Sequence, residues 1–150
     1  MEKQVISKNK KAFFDFHIFD KYEAGMVLTG TEIKSIRKNA VNLKDSFVRV
    51  EDGEVFLYGC HISPFEHGNR YNHEPDRIRK LLLTKKEIIK IKSKVERDGY
   101  TVVPLELYIS RGFAKLQIAL AKGKKLHDKR EDIAKKDQKR EMDRLMKRWL

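Results

Sequence analysis

The sequence lacks the features that mark exported, membrane-spanning and disulfide-bonded proteins. Cys60 is the one cysteine, so no disulfide can form within the chain, and a reducing cytoplasm is the expected compartment. The N-terminal segment has neither the apolar core nor the small-residue cleavage site of a signal peptide. No apolar run approaches the roughly 18 residues of a membrane span. We therefore expect a cytoplasmic protein that is neither exported nor membrane-spanning.

The sequence also lacks a complete phosphate-binding loop and a serine-hydrolase motif. Gly25 and Gly30 have the glycine spacing of a phosphate-binding loop, but Thr31 and Glu32 follow where Lys and Ser or Thr are needed. A carboxylate at that position would repel phosphate. No G-x-S-x-G sequence is present. These observations predict that the chain needs no nucleotide cofactor.

Zinc-site spacing is absent as well. His61, His67 and His73 recur six residues apart near Cys60, and no pair has the spacing of a zinc site. Cys60 lies within an apolar strand, where a buried, inert thiol is commoner than a nucleophile. We predict no metal, no cofactor and no catalytic residue. An RNA-processing enzyme stays an alternative, because acids and bases can converge from distant positions.

Positive charge is what the chain has in excess, and it is concentrated at one end. Lys and Arg total 34 against 22 Asp and Glu, a net charge of +12. Residues 122–150 hold twelve of those cations and six of the acids, which is half of the net charge. A polyanionic partner, nucleic acid or an anionic membrane surface, is indicated. We predict one core domain over residues 1–121 and a basic tail over 122–150 that is disordered when free.

Period-two patterns predict strands between the two ends. "FVRVEDGEVFLYG" predicts a hairpin that turns at Asp52-Gly53, and "TVVPLELYI" and "FAKLQIALA" predict a second hairpin that turns at residues 110–112. "KAFFDFHIF" also predicts a strand. Each of these strands is predicted to carry its apolar residues on one face: Phe14, Phe16 and Ile18 in the first, Val103, Leu105, Leu107 and Ile109 in the second, and Ala114, Leu116, Ile118 and Leu120 in the third.

Two capping boxes predict helices between the strands. Thr29 with Glu32, and Thr84 with Glu87, have the required spacing; Ile33 and Ile36 are predicted to face inward in the first helix. Five or six short strands with two or three helices predict a mainly β fold. The best fit is a small antiparallel β-barrel of the oligonucleotide-binding (OB) type.

One predicted loop and the tail carry candidate RNA-binding features. "SPFEHGNRYNHEPDRIRK" mixes cations with planar side chains, which suits phosphates and unstacked bases, although a polar connection whose aromatics cap the core explains it equally well. The tail has an apolar stripe at helical spacing on a basic body. It is interpreted as a docked or solvated helix, a membrane-surface helix, or a segment that orders along RNA. The loop cations are Arg70, Arg77, Arg79 and Lys80, and the stripe is Met142, Leu145, Met146 and Trp149.

Three long strings resemble one known family. "LTGTEIKS", "GNRYNHEPDRIRKLLL" and "AKGKKLHDKRED" are similar to the SsrA-binding protein (small protein B, SmpB) of bacterial trans-translation, and the resemblance covers nearly the whole chain. It implies an OB-like barrel that binds the tRNA-like domain of transfer-messenger RNA (tmRNA). It also implies delivery to the empty A site of a stalled ribosome, together with the elongation factor that carries the alanylated RNA. The tail would then lie in the small-subunit decoding centre and become helical in the vacant mRNA channel.

The resemblance also implies site residues. RNA contact is expected from the α-helical motif, the loop and the end of the barrel: Glu32, Lys34, Arg37, Asn69, Arg70, Asn72, His73, Lys124 and Lys125. Contact with the decoding centre and channel is expected from His127, Asp128, Lys129, Arg130 and Ile133. Glu32 could accept hydrogen bonds from bases or ribose, or simply complete its helix cap. A general single-stranded RNA-binding or ribosome-assembly module stays the alternative function.

Overall fold

The computed structural model describes residues 3–66 and 72–149, and within them the chain forms nine strands and four helices. The strands are β1 (Lys3–Lys8), β2 (Phe16–Met26), β3 (Val41–Asn42), β4 (Phe47–Glu51), β5 (Glu54–Tyr58), β6 (His61–Ile62), β7 (Arg79–Leu82), β8 (Thr101–Ser110) and β9 (Phe113–Gly123). The helices are α1 (Lys10–Asp15), α2 (Gly30–Arg37), α3 (Lys85–Asp98) and α4 (Leu126–Trp149).

Six strands form a closed antiparallel ring. Their order is β8-β4-β5-β7-β2-β9, and β9 pairs back with β8; β1 adds to β8 outside the ring, and β3 pairs with β6 separately. Leu57, Leu116 and Ile118 lie fully buried in the main core, which α2 and α3 join through Ile36 and Ile91. The predicted mainly β fold with a closed antiparallel sheet and attached helices is confirmed.

Both predicted hairpins and both capping boxes are confirmed. Asp52 and Gly53 join β4 to β5, and Arg111 and Gly112 join β8 to β9. All four turn residues have positive φ, between 50° and 81°, which is the backbone of the two-residue turn that matches strand twist. Thr29 with Glu32 caps α2, and Thr84 with Glu87 caps α3.

Two expectations about the first apolar segments were wrong. The chain is helical from Lys10 to Asp15, so Phe14 lies in α1 and only Phe16 and Ile18 lie in a strand. Asn9 begins this helix: its side chain accepts from Ala12 N–H and donates to the Pro104 carbonyl at 2.9 Å. These local bonds favour a helical turn over continued strand. Ile33 is 38% exposed, because α2 turns Glu32, Ser35 and Ile36 inward instead.

A β-bulge divides β8 between two cores. Pro104 pairs with Ile118 and Glu106 with Gln117, so Leu105 has no partner in β9. The extra residue changes which side chains face inward. Leu107 therefore lies in the main core, whereas Val103 and Leu105 pack outside the ring in a second cluster with Ala12 of α1. The prediction that Val103, Leu105, Leu107 and Ile109 share one face was wrong for this reason. The β9 prediction holds, because Leu116, Ile118 and Leu120 are all in the main core.

Candidate nucleic-acid interface

A buried carboxylate organises the start of α2. Glu32 is fully buried, and its Oε1 accepts from Thr29 N–H at 2.8 Å to complete the cap. Arg77 donates to the same oxygen at 2.6 Å, and Arg79 Nε donates to Oε2 at 2.5 Å. Glu32 thus joins the helix cap to two arginines that follow it by 45 and 47 residues.

The two arginines keep Glu32 ionised. Burial raises the pKa of its carboxyl, but the hydrogen bonds from Arg77, Thr29 and Arg79 oppose it and lower the pKa to about 2. The group is therefore a permanent anion at neutral pH, and it holds both guanidinium groups in fixed orientations.

Arg77 and Arg79 have different roles, although both came from the same candidate RNA-binding loop. Arg79 is fully buried and also donates to the Cys60 carbonyl at 2.7 Å. The interpretation of Arg79 as a loop cation for RNA was wrong, because its side chain is buried and its hydrogen bonds are to groups within the protein. Arg77 keeps 34% of its side chain exposed beside α2. Arg77 can therefore present positive charge to a ligand.

The outer side of α2 is basic and carries one aromatic ring. Lys34, Arg37 and Lys38 are exposed there. The amino groups of Lys34 and Lys38 lie 5.5 and 5.9 Å from the centre of the Phe65 ring. We call Lys34, Arg37, Lys38, Phe65 and Arg77 the α2 basic face. Lys38 was missed in the sequence, although its spacing of four from Lys34 places both on one side of a helix.

Asn72 and His73 fasten the neighbouring loop. The Asn72 side chain accepts from Phe65 N–H at 3.0 Å and donates to the Phe65 carbonyl. The His73 ring donates from Nε2 to the Ile62 carbonyl at 2.8 Å, and its Nδ1 lies 2.9 Å from the Thr31 hydroxyl. Both side chains therefore form hydrogen bonds with other groups of the protein. The predicted Asn69 and Arg70 lie outside the described residues.

The two predicted lysines that follow β9 differ in exposure and contacts. Lys124 is 11% exposed, pairs with Asp132 of α4 and donates to the Phe13 carbonyl at 3.2 Å. Lys125 is exposed, and its N–H donates to Asp128 at 3.2 Å. Of the two predicted lysines, Lys125 is the one that the structure leaves open to a ligand.

The first two turns of α4 are docked on the domain. Asp128 lies 3.2 Å from His17, and Lys129 lies 3.1 Å from Asp15. Arg130 is exposed, and Ile133 is 48% exposed. The described side chains from 133 to 145 are exposed all round the helix, including Met142 and Leu145. The side chains of His127, Met146 and Trp149 lie outside the description.

Three further features of the described residues concern metal binding, the reactivity of the Cys60 thiol and membrane insertion. No group of three His, Cys, Asp or Glu side chains there is placed to hold a metal ion. Burial raises the pKa of the Cys60 thiol to about 11, which disfavours the reactive thiolate. None of the described helices is both long and apolar enough to span a bilayer.

Comparison with known proteins identifies the family. The family described as SmpB protein matches residues 6–148. The SsrA-binding protein of Carboxydothermus hydrogenoformans is 54% identical over 147 residues, which cover 98% of each chain. That of Bacillus pumilus is 59% identical over 143 residues, 95% of this chain and 92% of that protein. A chain from a solved structure of tmRNA-SmpB and the bacterial ribosome has a TM-score of 0.67 and 46% identity, covering 80% of this chain and 85% of its own. The chain belongs to the SmpB family of SsrA-binding proteins.

Proposed function

We propose that this chain binds the tRNA-like domain of tmRNA and delivers it to the empty A site of stalled ribosomes for trans-translation. Membership of the family and the likeness to the tmRNA-SmpB structure support this function. The observation that carries it is the α2 basic face, which sets four cations and the Phe65 ring around one helix. Cations of this kind hold phosphates, and an aromatic ring stacks on an unpaired base.

Glu32 acts in this proposal as a positioning residue. Both of its oxygens are occupied by Thr29, Arg77 and Arg79, and the side chain is fully buried. Glu32 therefore holds Arg77 in place within the α2 basic face and does not itself contact RNA. Asn72 and His73 hold the loop in the same way, and Asn69 and Arg70 are proposed as the loop's RNA contacts.

Binding at a fixed salt concentration tests the function. The intact chain is expected to bind the tRNA-like domain of tmRNA much more tightly than an ordinary tRNA. Lys34→Gln and Arg37→Gln should each reduce the salt slope by about one, because each removes one phosphate contact. Lys86→Gln, an exposed lysine at the start of α3, is the matched control. Equal binding to both RNAs would instead support a general RNA-binding or ribosome-assembly module.

We propose that the tail acts on the ribosome. His127, Asp128, Lys129, Arg130 and Ile133 are assigned to the decoding centre and the beginning of the vacant mRNA channel. Support comes from the basic, exposed surface of α4 beyond its docked turns. Disorder of residues 122–150 in the free protein stays a prediction, and amide hydrogen exchange along 133–149 tests it.

Truncation separates the two activities. A chain that ends at Ala134 keeps Asp128, Lys129 and Asp132, which contact the domain. It should bind the tRNA-like domain as tightly as the intact chain but fail in peptide tagging, assayed with alanylated tmRNA and its elongation factor in a reconstituted translation system. A parallel loss of RNA binding would contradict the separation.

The proposed function involves no turnover and is exercised in the cytoplasm, where ribosomes lie. The buried, protonated thiol of Cys60 supports a binding role over a nucleophilic one. Incubation with end-labelled tmRNA should return intact RNA. Cleavage that persists in repurified protein would favour an RNA-processing enzyme.

A further inference from the structure

The strand ring has a weak seam with a groove beside it. β4 pairs with β5 along its whole length but with β8 at one position, Val48 with Val102. A groove of about 550 Å³ follows this seam, lined by residues 47–51 on one side and by Val95 and residues 100–102 on the other. This volume is within the range of small-ligand sites. We call it the β4–β8 groove.

One wall of the groove carries a stack of planar groups. The rings of Phe47 and Tyr58 are 5.3 Å apart and nearly parallel, at 7°. The Arg49 guanidinium lies 5.3 Å from the centre of the Phe47 ring and 5.4 Å from that of Tyr58. Phe47 is 39% exposed. Among the described residues Arg49 has no carboxylate partner, so its N–H groups are available to an acceptor.

The opposite wall repeats this combination of cation and ring. The Lys122 amino group lies 4.4 Å from the centre of the Tyr100 ring, and the Lys94 amino group lies 5.9 Å from it. Lys94 is also 3.5 Å from Asp98. The edge of Phe19 packs against Tyr100, with ring centres 5.1 Å apart. Tyr100 therefore lines the opposite side of the groove and has two lysine amino groups near its ring.

We propose that the β4–β8 groove binds one or two nucleotides of single-stranded RNA from outside the tRNA-like domain. Base stacking on exposed rings is tolerant of sequence, and nearby cations neutralise the phosphates that follow each base. Glu51 lies at one end, where it accepts from the Tyr58 hydroxyl at 2.7 Å. Its negative charge disfavours phosphate at that end, so the cations that remain for phosphate are Arg49 and Lys122.

The groove is separate from the α2 basic face. β5 and β7 follow β4 in the ring, and β7 carries the buried Arg79 that binds Glu32. The residues that line the groove therefore include none of those assigned to the tRNA-like domain. The proposal does not depend on the proposed function, and the two can fail independently.

Oligonucleotide binding by the full chain tests the groove. The probe is a fluorescent oligouridylate of about eight residues, a length suited to one domain of this type. Phe47→Leu keeps an apolar side chain but removes the ring, and should weaken binding about tenfold, within the range for one lost base stack. Arg49→Gln should reduce the salt slope by nearly one. Phe113→Leu, at an aromatic residue that is 69% exposed at the start of β9, is the matched control and should bind like the original chain.

Crosslinking locates the probe. A 4-thiouridine version should crosslink to peptides that contain residues 47–58 or 100, and Phe47→Leu should remove the first crosslink while affinity for the tRNA-like domain is unchanged. Arg49 is exposed, so Arg49→Gln removes a charge without opening a cavity in the core. Equal affinity of Phe47→Leu, Arg49→Gln and Phe113→Leu for the probe, or crosslinks confined to the tail, would overturn the proposal and leave the groove to a protein ligand.

Discussion

Replacing Glu32 with Gln isolates the charge at the centre of the α2 cluster. Gln keeps an oxygen that can accept from Thr29 N–H, so the helix cap survives. The anion that balances Arg77 and the fully buried Arg79 is lost. Removing one partner of a buried ion pair strands the other, which is strongly destabilising.

The pKa of Glu32 sets the size of the effect. A shift from 4.5 to about 2 corresponds to about 3 kcal/mol of unfolding free energy. Because the folded-state pKa is depressed, this stabilisation is fully present above pH 4.5. It is lost as the pH falls from 4.5 toward 2, where the carboxylate becomes protonated. At pH 7 the melting temperature of Glu32→Gln should fall by roughly 6 to 12 °C.

Thermal unfolding followed by circular dichroism, from pH 7 down to pH 3, measures the effect. The gap in melting temperature between the original chain and Glu32→Gln should be widest at pH 7 and narrow below pH 4.5. Glu54→Gln is the control, since Glu54 is half exposed and pairs with Lys80 at 3.1 Å, a contact that contributes at most about 1 kcal/mol. A gap that stays constant from pH 7 to pH 3, or that equals the Glu54→Gln gap, would refute the reasoning.

Three further changes test the fold and the site. Gly59→Ala should lower the free energy of unfolding, measured in urea, by about 2 kcal/mol, because Gly59 has φ +74° and an added Cβ would lie 3.0 Å from the Asp45 carbonyl oxygen. Gly30→Ala should leave the free energy of unfolding unchanged, because there is open space around Gly30. Asn72→Ala should speed hydrogen exchange of the Phe65 amide and weaken binding of the tRNA-like domain severalfold, since two cross-loop hydrogen bonds are lost. Asp132→Asn should speed amide exchange in the first two turns of α4, because it removes the partner of Lys124.

Each of these three has an outcome that contradicts it. Equal decreases in unfolding free energy for Gly59→Ala and Gly30→Ala would mean that the positive φ of residue 59 does not affect stability. Unchanged binding by Asn72→Ala would remove the loop from the RNA interface. Unchanged exchange in Asp132→Asn would mean that the ion pair does not hold α4 on the domain.

The elements that were predicted correctly are those that depend on a few residues close together in the sequence. The turns at Asp52-Gly53 and Arg111-Gly112 and the two Thr–Glu capping boxes depend on residues at most three apart, so a single sequence contains the whole signal. The bulge at Leu105 has no such local signal: it turns Val103 and Leu105 toward the second cluster outside the ring, to which α1 contributes Ala12. The helix of α1 was missed for a related reason: its apolar residues continue the period-two pattern of β2.

The candidate site was predicted in part. Lys34 and Arg37, which the resemblance assigns to RNA, are exposed, and spacing could have added Lys38. Sequence reasoning could not separate Arg77 from Arg79, because their exposure depends on a carboxylate 45 and 47 residues earlier. Lys124 was expected to face phosphate, but α4 folds back and supplies Asp132 to it.

The single register pair between β4 and β8 has a consequence for the order of folding. The β4–β5 and β8–β9 hairpins close loops of two residues, whereas Val48 and Val102 must meet across 54 positions. Closing the longer loop costs more chain entropy, and the single Val48–Val102 pair offsets little of that cost. We therefore expect this seam to close only after the two hairpins have formed, and a ligand seated along it would stabilise the closed ring.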